Sequence, residues 1–146
     1  MIREATQDDI PNLLPLVKSF VEEIGEGELI KRYDIREVAR VLKKSIDEGI
    51  LLTTDEYNCI VAGLPSPVLW NPNYNTLEEI IFYVSPEARE GLLGGRLLKE
   101  YVKRVDSFEN IFASTLCLMH NSPDLSKHYN KRGFNKIEER FIRYGG

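Results

Sequence analysis

The chain has 146 residues, 42% of them hydrophobic and 29% charged, with a formal net charge of −4 and a pI near 5.3. That length predicts one domain spanning residues 1–146, burying roughly 68–70% of its unfolded surface and needing neither disulfide nor metal as a staple. The acidity argues against nonspecific nucleic-acid binding, and no apolar run approaches the ~20 residues of a membrane span.

Ile2–Ala5 is strand-like, and the start Met1-Ile2-Arg3-Glu4 lacks the basic, apolar, small-residue order of a signal peptide. Thr6 reads as a helix N-cap, with Asp8 and Asp9 in the first turn, where the helix dipole favours carboxylates. Ile10, Leu13, Leu14, Val17, Phe20, Val21 and Ile24 keep helical spacing, with a kink expected at Pro15 and a stop at Gly25 and Gly27. A second helix over 35–47 gathers Val38, Val41, Leu42 and Ile46 on one face and closes at Gly49. Residues 50–54 and 58–64 are strand-like. Pro65, Pro67 and Pro72 then predict a broken strand and a loop around Trp70. Residues 76–84 form the strongest strand.

A helix should follow from Leu93 to Val105. After it come a strand over 111–118, a short helix over 124–131 and a last strand or hairpin over 134–143. Cys59 and Cys117 sit in apolar stretches and read as small buried residues of a reducing, cytoplasmic setting. No CxxC or Cys/His cluster suggests zinc, so no metal is expected. The order β-α-α-β-β-β-α-β-α-β predicts an α/β fold with a sheet of mixed direction.

The informative stretch runs from Tyr83 to Leu98, where a buried strand enters a glycine-rich turn that opens a helix. Unpaired N–H groups at such a helix start favour phosphate, and Gly91, Gly94 and Gly95 allow close approach to the backbone. Neither GxxxxGK[ST] nor GxGxxG is present, which removes the Walker and dinucleotide readings. Residues 1–90 carry 9 Lys and Arg against 17 Asp and Glu, whereas residues 91–146 carry 10 against 6. Such an asymmetry suits two ligands of opposite sign.

Val84-x-Pro86-Glu87-x-Arg89-x-x-x-x-Gly94-x-x-Leu97-Leu98 resembles the acetyl-CoA motif of the GNAT superfamily of N-acetyltransferases, with Leu92 where that motif has its first glycine. Asn121 and Tyr129-Asn130-Lys131-Arg132-Gly133-Phe134 resemble the second signature, and Ile2–Ile10 resembles the first strand and helix. The resemblance implies an α+β fold with a mixed, mostly antiparallel central sheet flanked by about four helices. It implies direct transfer of acetyl from acetyl-CoA to a primary amine; the alternative is an acyl-CoA or phosphate-ligand binding module without turnover. Coenzyme contacts would come from Phe82, Tyr83 and Val84, from Arg89, Glu90, Gly91, Leu92, Leu93, Gly94 and Gly95, and from Asn121 and Tyr129. Lys131 and Arg132 could meet the outer phosphates.

Tyr129 is the expected acid for the departing thiolate. A backbone N–H at a bulge near Val84 would meet the oxyanion. For the base, alternation places Glu78 on the face of Ile80, Phe82 and Val84, at the position used by the lysine-acetylating branch. Glu79, a water chain, His120 and His128 are the alternatives. An acceptor pocket is expected from the first two helices and residues 65–75, with Glu22, Glu23, Glu26 and Glu28 making that flank acidic and Trp70 and Tyr74 near it. A homodimer is a further expectation of the resemblance, although no residue marks an interface.

Overall fold

Five stretches of β-favouring residues pair side by side in chain order. The computed structural model of the protein describes residues 1–119 and 123–145. The strands are β1 (Ile2–Glu4), β2 (Ile50–Thr54), β3 (Cys59–Val68), β4 (Asn71–Val84) and β5 (Ile111–Thr115), in the order β1-β2-β3-β4-β5. All neighbours are antiparallel except β4 and β5, which run parallel. The helices are α1 (Ile10–Ile24), α2 (Gly27–Ile30), α3 (Ile35–Glu48), α4 (Leu93–Asp106) and α5 (Ser126–Lys131). The expected mixed, mostly antiparallel sheet is therefore present. Among the described residues no helix is long and apolar enough to cross a membrane.

Period-2 alternation divides the core into two layers. Ile60, Ala62, Ile81 and Tyr83 turn toward Leu13, Val17 and Leu42 of α1 and α3. Cys59, Val61, Leu77 and Val84 turn toward Leu97 and Tyr101 of α4. Helix α1 runs on through Pro15 and ends at Gly25 in the left-handed region.

One register shift decides which side chains reach which layer. Ala62 pairs with Ile81 but Gly63 pairs with Glu79, so Ile80 is an extra residue in β4. Such a bulge reverses the parity of everything before it. Leu77 and Glu79 thereby share the α4 face with Phe82 and Val84. Alternation without the bulge placed Glu78 there, and that placement is corrected. The bulge expected near Val84 likewise lies earlier in the strand, at Ile80.

Two further expectations are revised. Residues 65–75 are not a loop; β3 and β4 continue as a two-stranded arm to a turn at Leu69 and Trp70, with Trp70 89% exposed. Pro65 and Pro67 are two apart, so their missing donors fall on one edge, and β2 pairs no further than Gly63. Residues 134–143 form no strand among the described residues. Their large apolar groups fall at 134, 137, 141 and 142, which does not alternate, and Phe141 is 91% exposed.

Asp9 fixes the start of α1 to the sheet. Its carboxylate accepts from Arg3 Nη1 and Nη2 at 2.8 and 2.9 Å, from the Thr6 N–H at 2.7 Å and from the Tyr57 hydroxyl at 2.7 Å. The Arg3 guanidinium first, then these other donors, hold the carboxyl far below its ordinary value of 3.8. A depressed folded value contributes stability that is present above the unfolded value and lost as pH falls. Asp9→Asn should lower the melting temperature by several degrees at neutral pH, a deficit that shrinks below about pH 4. Thermal melts of both proteins across that range check it.

Candidate active site

Pairing of β4 with β5 ends at Glu78 and Thr115, and beyond it the free edge of β4 has no strand partner among the described residues. The chain after β5 turns away instead of continuing the ladder. A cavity of about 400 Å³ fills the opening. Its lining includes Phe20, Glu23 and Ile24 of α1 and Gly94, Gly95 and Leu98 of α4.

At the α4 end the turn after β4 is built to admit a ligand against backbone. A Cβ at Gly91 or Gly95 would have nothing within 4 Å, and one at Gly94 would meet only Val84 Cγ2 at 3.8 Å. The first N–H groups of α4 lack intrahelical partners, as at any helix start. Leu92 is the N-cap of α4 at φ −91°, a conformation any residue adopts, so the turn does not need glycine there. Its exposed side chain lines the mouth of the cavity. Glu90 is exposed and Leu93 packs beneath α4, and neither side chain lines the cavity.

Arg89 lines the cavity but is held by the protein. Its Nε donates to the Val84 carbonyl at 2.8 Å, and its Nη2 to Glu23 Oε2 at 2.6 Å. The guanidinium lies 5.4 Å from the centre of the Tyr83 ring, which also meets Phe20 edge-on. Phe82 and Tyr83 therefore line the cavity from opposite faces of β4, and Val84 sits beneath the glycine turn.

The buried carboxylate of the cavity is Glu79. It is 9% exposed and accepts from the Cys117 N–H. Burial disfavours its charged form and pushes its pKa up to about 8. Glu78 is exposed and does not line the cavity.

Tyr129 stands beside Glu79. Its hydroxyl donates to the Cys117 carbonyl at 3.2 Å, and burial raises its pKa above the ordinary phenol value. The Tyr-x-x-x-Gly-Phe spacing has a local cause. Gly133 takes φ +88° to end α5, and Phe134 folds back to donate its N–H to the Tyr129 carbonyl and pack against the ring at 6.4 Å. Cys117, expected to be buried, is exposed and lines the cavity, whereas Cys59 is buried.

His128 also lines the cavity; Lys131 and Arg132 are exposed outside it. Asn121 and His120 lie outside the described residues. Trp70 and Tyr74 belong to the β3–β4 arm and not to the lining, Tyr74 meeting Phe112 of β5. Sequence reading missed Phe20, Leu118, Met119 and Leu125 as lining residues. Nothing in their type or spacing separates them from ordinary core.

No protein-family model and no curated protein sequence matches the chain. Solved structures do. A predicted acetyltransferase with acetyl-CoA from Clostridium acetobutylicum superposes at TM-score 0.74 with 18% identity, over 99% of this chain and 95% of that one. A GCN5-related N-acetyltransferase from Ralstonia eutropha JMP134 gives TM-score 0.74 at 14% identity, over 100% and 99%. An acetyltransferase from Trypanosoma brucei gives 0.63 at 16%, over 99% and 98%. The fold is that of the GCN5-related N-acetyltransferases.

The Glu79 carboxyl imposes a measurable pH dependence on stability. Its folded value, about 8, exceeds its ordinary 4.5, so the folded state retains a proton that the unfolded chain releases. Stability is full below about pH 4.5 and falls as pH rises toward about 8. Glu79→Gln removes this loss, and its melting temperature should gain on that of the unaltered protein across the window and level off above it.

Proposed function

We propose that residues 1–146 act as one acyl-CoA-binding domain that transfers acetyl from acetyl-CoA to a primary amine in a ternary complex. The observation that carries this reading is the cavity at the parting of β4 and β5. It joins an open glycine turn at a helix start, a free strand edge, a buried carboxylate and a buried phenol. The structural neighbour that holds acetyl-CoA supports the choice of donor.

The residues present fit such a coenzyme. The turn from Arg89 to Gly95 and the first N–H groups of α4 would receive the pyrophosphate, and the edge of β4 at Phe82 to Val84 would pair with an extended amide arm. Acetyl-CoA would supply an activated thioester carbonyl with a thiolate leaving group.

Glu79, not Glu78, is the base in this reading, because it lines the cavity and Glu78 does not, while Glu23, the other carboxylate of the lining, is paired with Arg89. A primary amine of the lysine kind has a pKa of about 10.4 and arrives protonated, so Glu79 takes one proton before nitrogen can attack. As the C–N bond forms and the C–S bond breaks, Tyr129 gives its hydroxyl proton to the departing sulfur. The amide nitrogen's remaining surplus proton passes through solvent to the Tyr129 phenolate, and Glu79 gives the proton it took to solvent, which restores both side chains. Phe20, Glu23 and Ile24 would form the acceptor end.

Three measurements test this. A thermal melt with acetyl-CoA, beside CoA, ATP and NAD, should show a rise of several degrees with the first two alone, since ligand at ~100 times its Kd adds about 2.7 kcal/mol. Gly94→Val should fold, because a Cβ there would meet only Val84 Cγ2, yet lose that rise.

Tyr129→Phe should cut turnover by about 10²-fold or more with the rise retained. With an acceptor amine of low pKa, kcat/KM should climb to a plateau above about pH 8, and Glu79→Gln should remove the climb. A rise without turnover of any amine would leave the chain an acyl-CoA binding module.

A further inference from the structure

Tyr101 of α4 is fully buried, and its hydroxyl has no hydrogen-bond partner among the described residues. A buried phenol without a partner loses its hydration for nothing, so its position needs a cause. The cause lies in the sheet. Gly63 of β3 is paired with Glu79 of β4. Residues directly opposed on antiparallel strands send their side chains to one face with Cβ atoms about 4.5–5.5 Å apart. Gly63 has no side chain, and the place its Cβ would take is 2.2 Å from Tyr101 Oη. The phenol oxygen thus occupies the side-chain position of Gly63 and is the cross-strand neighbour of the Glu79 side chain.

We propose that Tyr101 is a positioning residue that donates its hydroxyl hydrogen to the Glu79 carboxylate once that group has lost its proton. While Glu79 is protonated, it is a weaker acceptor, and the charge that would draw the phenol hydrogen is absent. When Glu79 is ionised, its two oxygens find two donors, the Cys117 N–H and Tyr101 Oη. Other groups on the cavity do not supply this second bond. Arg89 is engaged by Glu23, and Tyr129 donates to the Cys117 carbonyl. His128 lies on α5, the Cys117 thiol adjoins its own N–H, and Glu78 is exposed on the neighbouring residue of β4. Tyr101 would thereby set the pH at which the base becomes available.

The pairing itself is tested without any reaction; only its catalytic consequence rests on the function proposed above. A donor to the charged form lowers the carboxyl's folded midpoint, and losing a hydrogen bond to a charged group should raise it by about one pH unit. The Glu79 carboxyl is followed by 13C NMR in glutamate-labelled protein and assigned by its absence in Glu79→Gln. Tyr101→Phe should raise its midpoint by about one unit. The unaltered protein should also gain thermal stability over Tyr101→Phe as pH passes above about 8.

An unchanged midpoint, or a stability difference flat with pH, overturns the proposal. Should Tyr101→Phe fail to fold, replacing Tyr101 with 3-fluorotyrosine keeps the shape and strengthens the donor. A lowered midpoint then upholds the pairing and an unmoved one overturns it. A shifted midpoint without turnover of any amine keeps the pair and removes the acetyl-transfer reading. Turnover with an unshifted midpoint keeps that reading and removes the pair.

Discussion

Cys117 is where the ladder between β4 and β5 gives way. Its N–H donates to the Glu79 carboxylate and its carbonyl accepts from the Tyr129 hydroxyl. Two side chains therefore take the main-chain groups that a continued parallel pairing would have used. Buried backbone groups must be satisfied somewhere, and here they are satisfied by the side chains of Glu79 and Tyr129. The opening, the exposed edge of β4 and the cavity all follow from that substitution. Because the same hydrogen bonds hold the strands apart and orient the two side chains, the shape of the site and its chemistry have one origin.

The extra residue at Ile80 determines which carboxylate enters. Without it, Leu77 and Glu79 would share a face with Ile81 and Tyr83 and press into the layer against α1 and α3. With it, Glu79 points to the α4 side among Leu98, Tyr101 and Tyr129. Burying a carboxylate there costs stability whenever it is charged, and the fold bears the cost through a raised pKa. Once ionised, a carboxylate whose pKa is near 8 is a stronger base than one near 4.5, so the stability given up and the basicity gained are the same free energy.

Much of the fold was legible because apolar spacing is a strong signal where elements are long. Helices α1, α3 and α4 and strand β2 stand where periodicity placed them. The glycine turn was legible for a different reason: Gly91, Gly94 and Gly95 cluster at a strand-to-helix junction, and the structure leaves space where their side chains would be. What could not be read was parity. A bulge is one uncompensated residue, and Glu78-Glu79-Ile80-Ile81 contains no glycine or proline to mark it. The β3–β4 arm was obscured for the opposite reason. Pro65 and Pro67 signal breaks, yet prolines on an edge that no strand covers interrupt nothing.

Arg89 shows how a motif residue can be placed correctly and still act differently from its expected part. The matching position implied a contact with the coenzyme. Instead its guanidinium spans from the Val84 carbonyl to Glu23 on α1 across the face of Tyr83. It is a strut between the turn and the opposite wall of the cavity. Attraction for a polyanion then has to come from elsewhere. In the proposed function it would come from the partial positive charge of the unpaired N–H groups that begin α4. Arg89 thereby keeps α1 and the glycine turn at a fixed separation, and in the proposed reaction this separation would set how closely an amine held at Phe20 and Ile24 could approach an acyl group seated against β4.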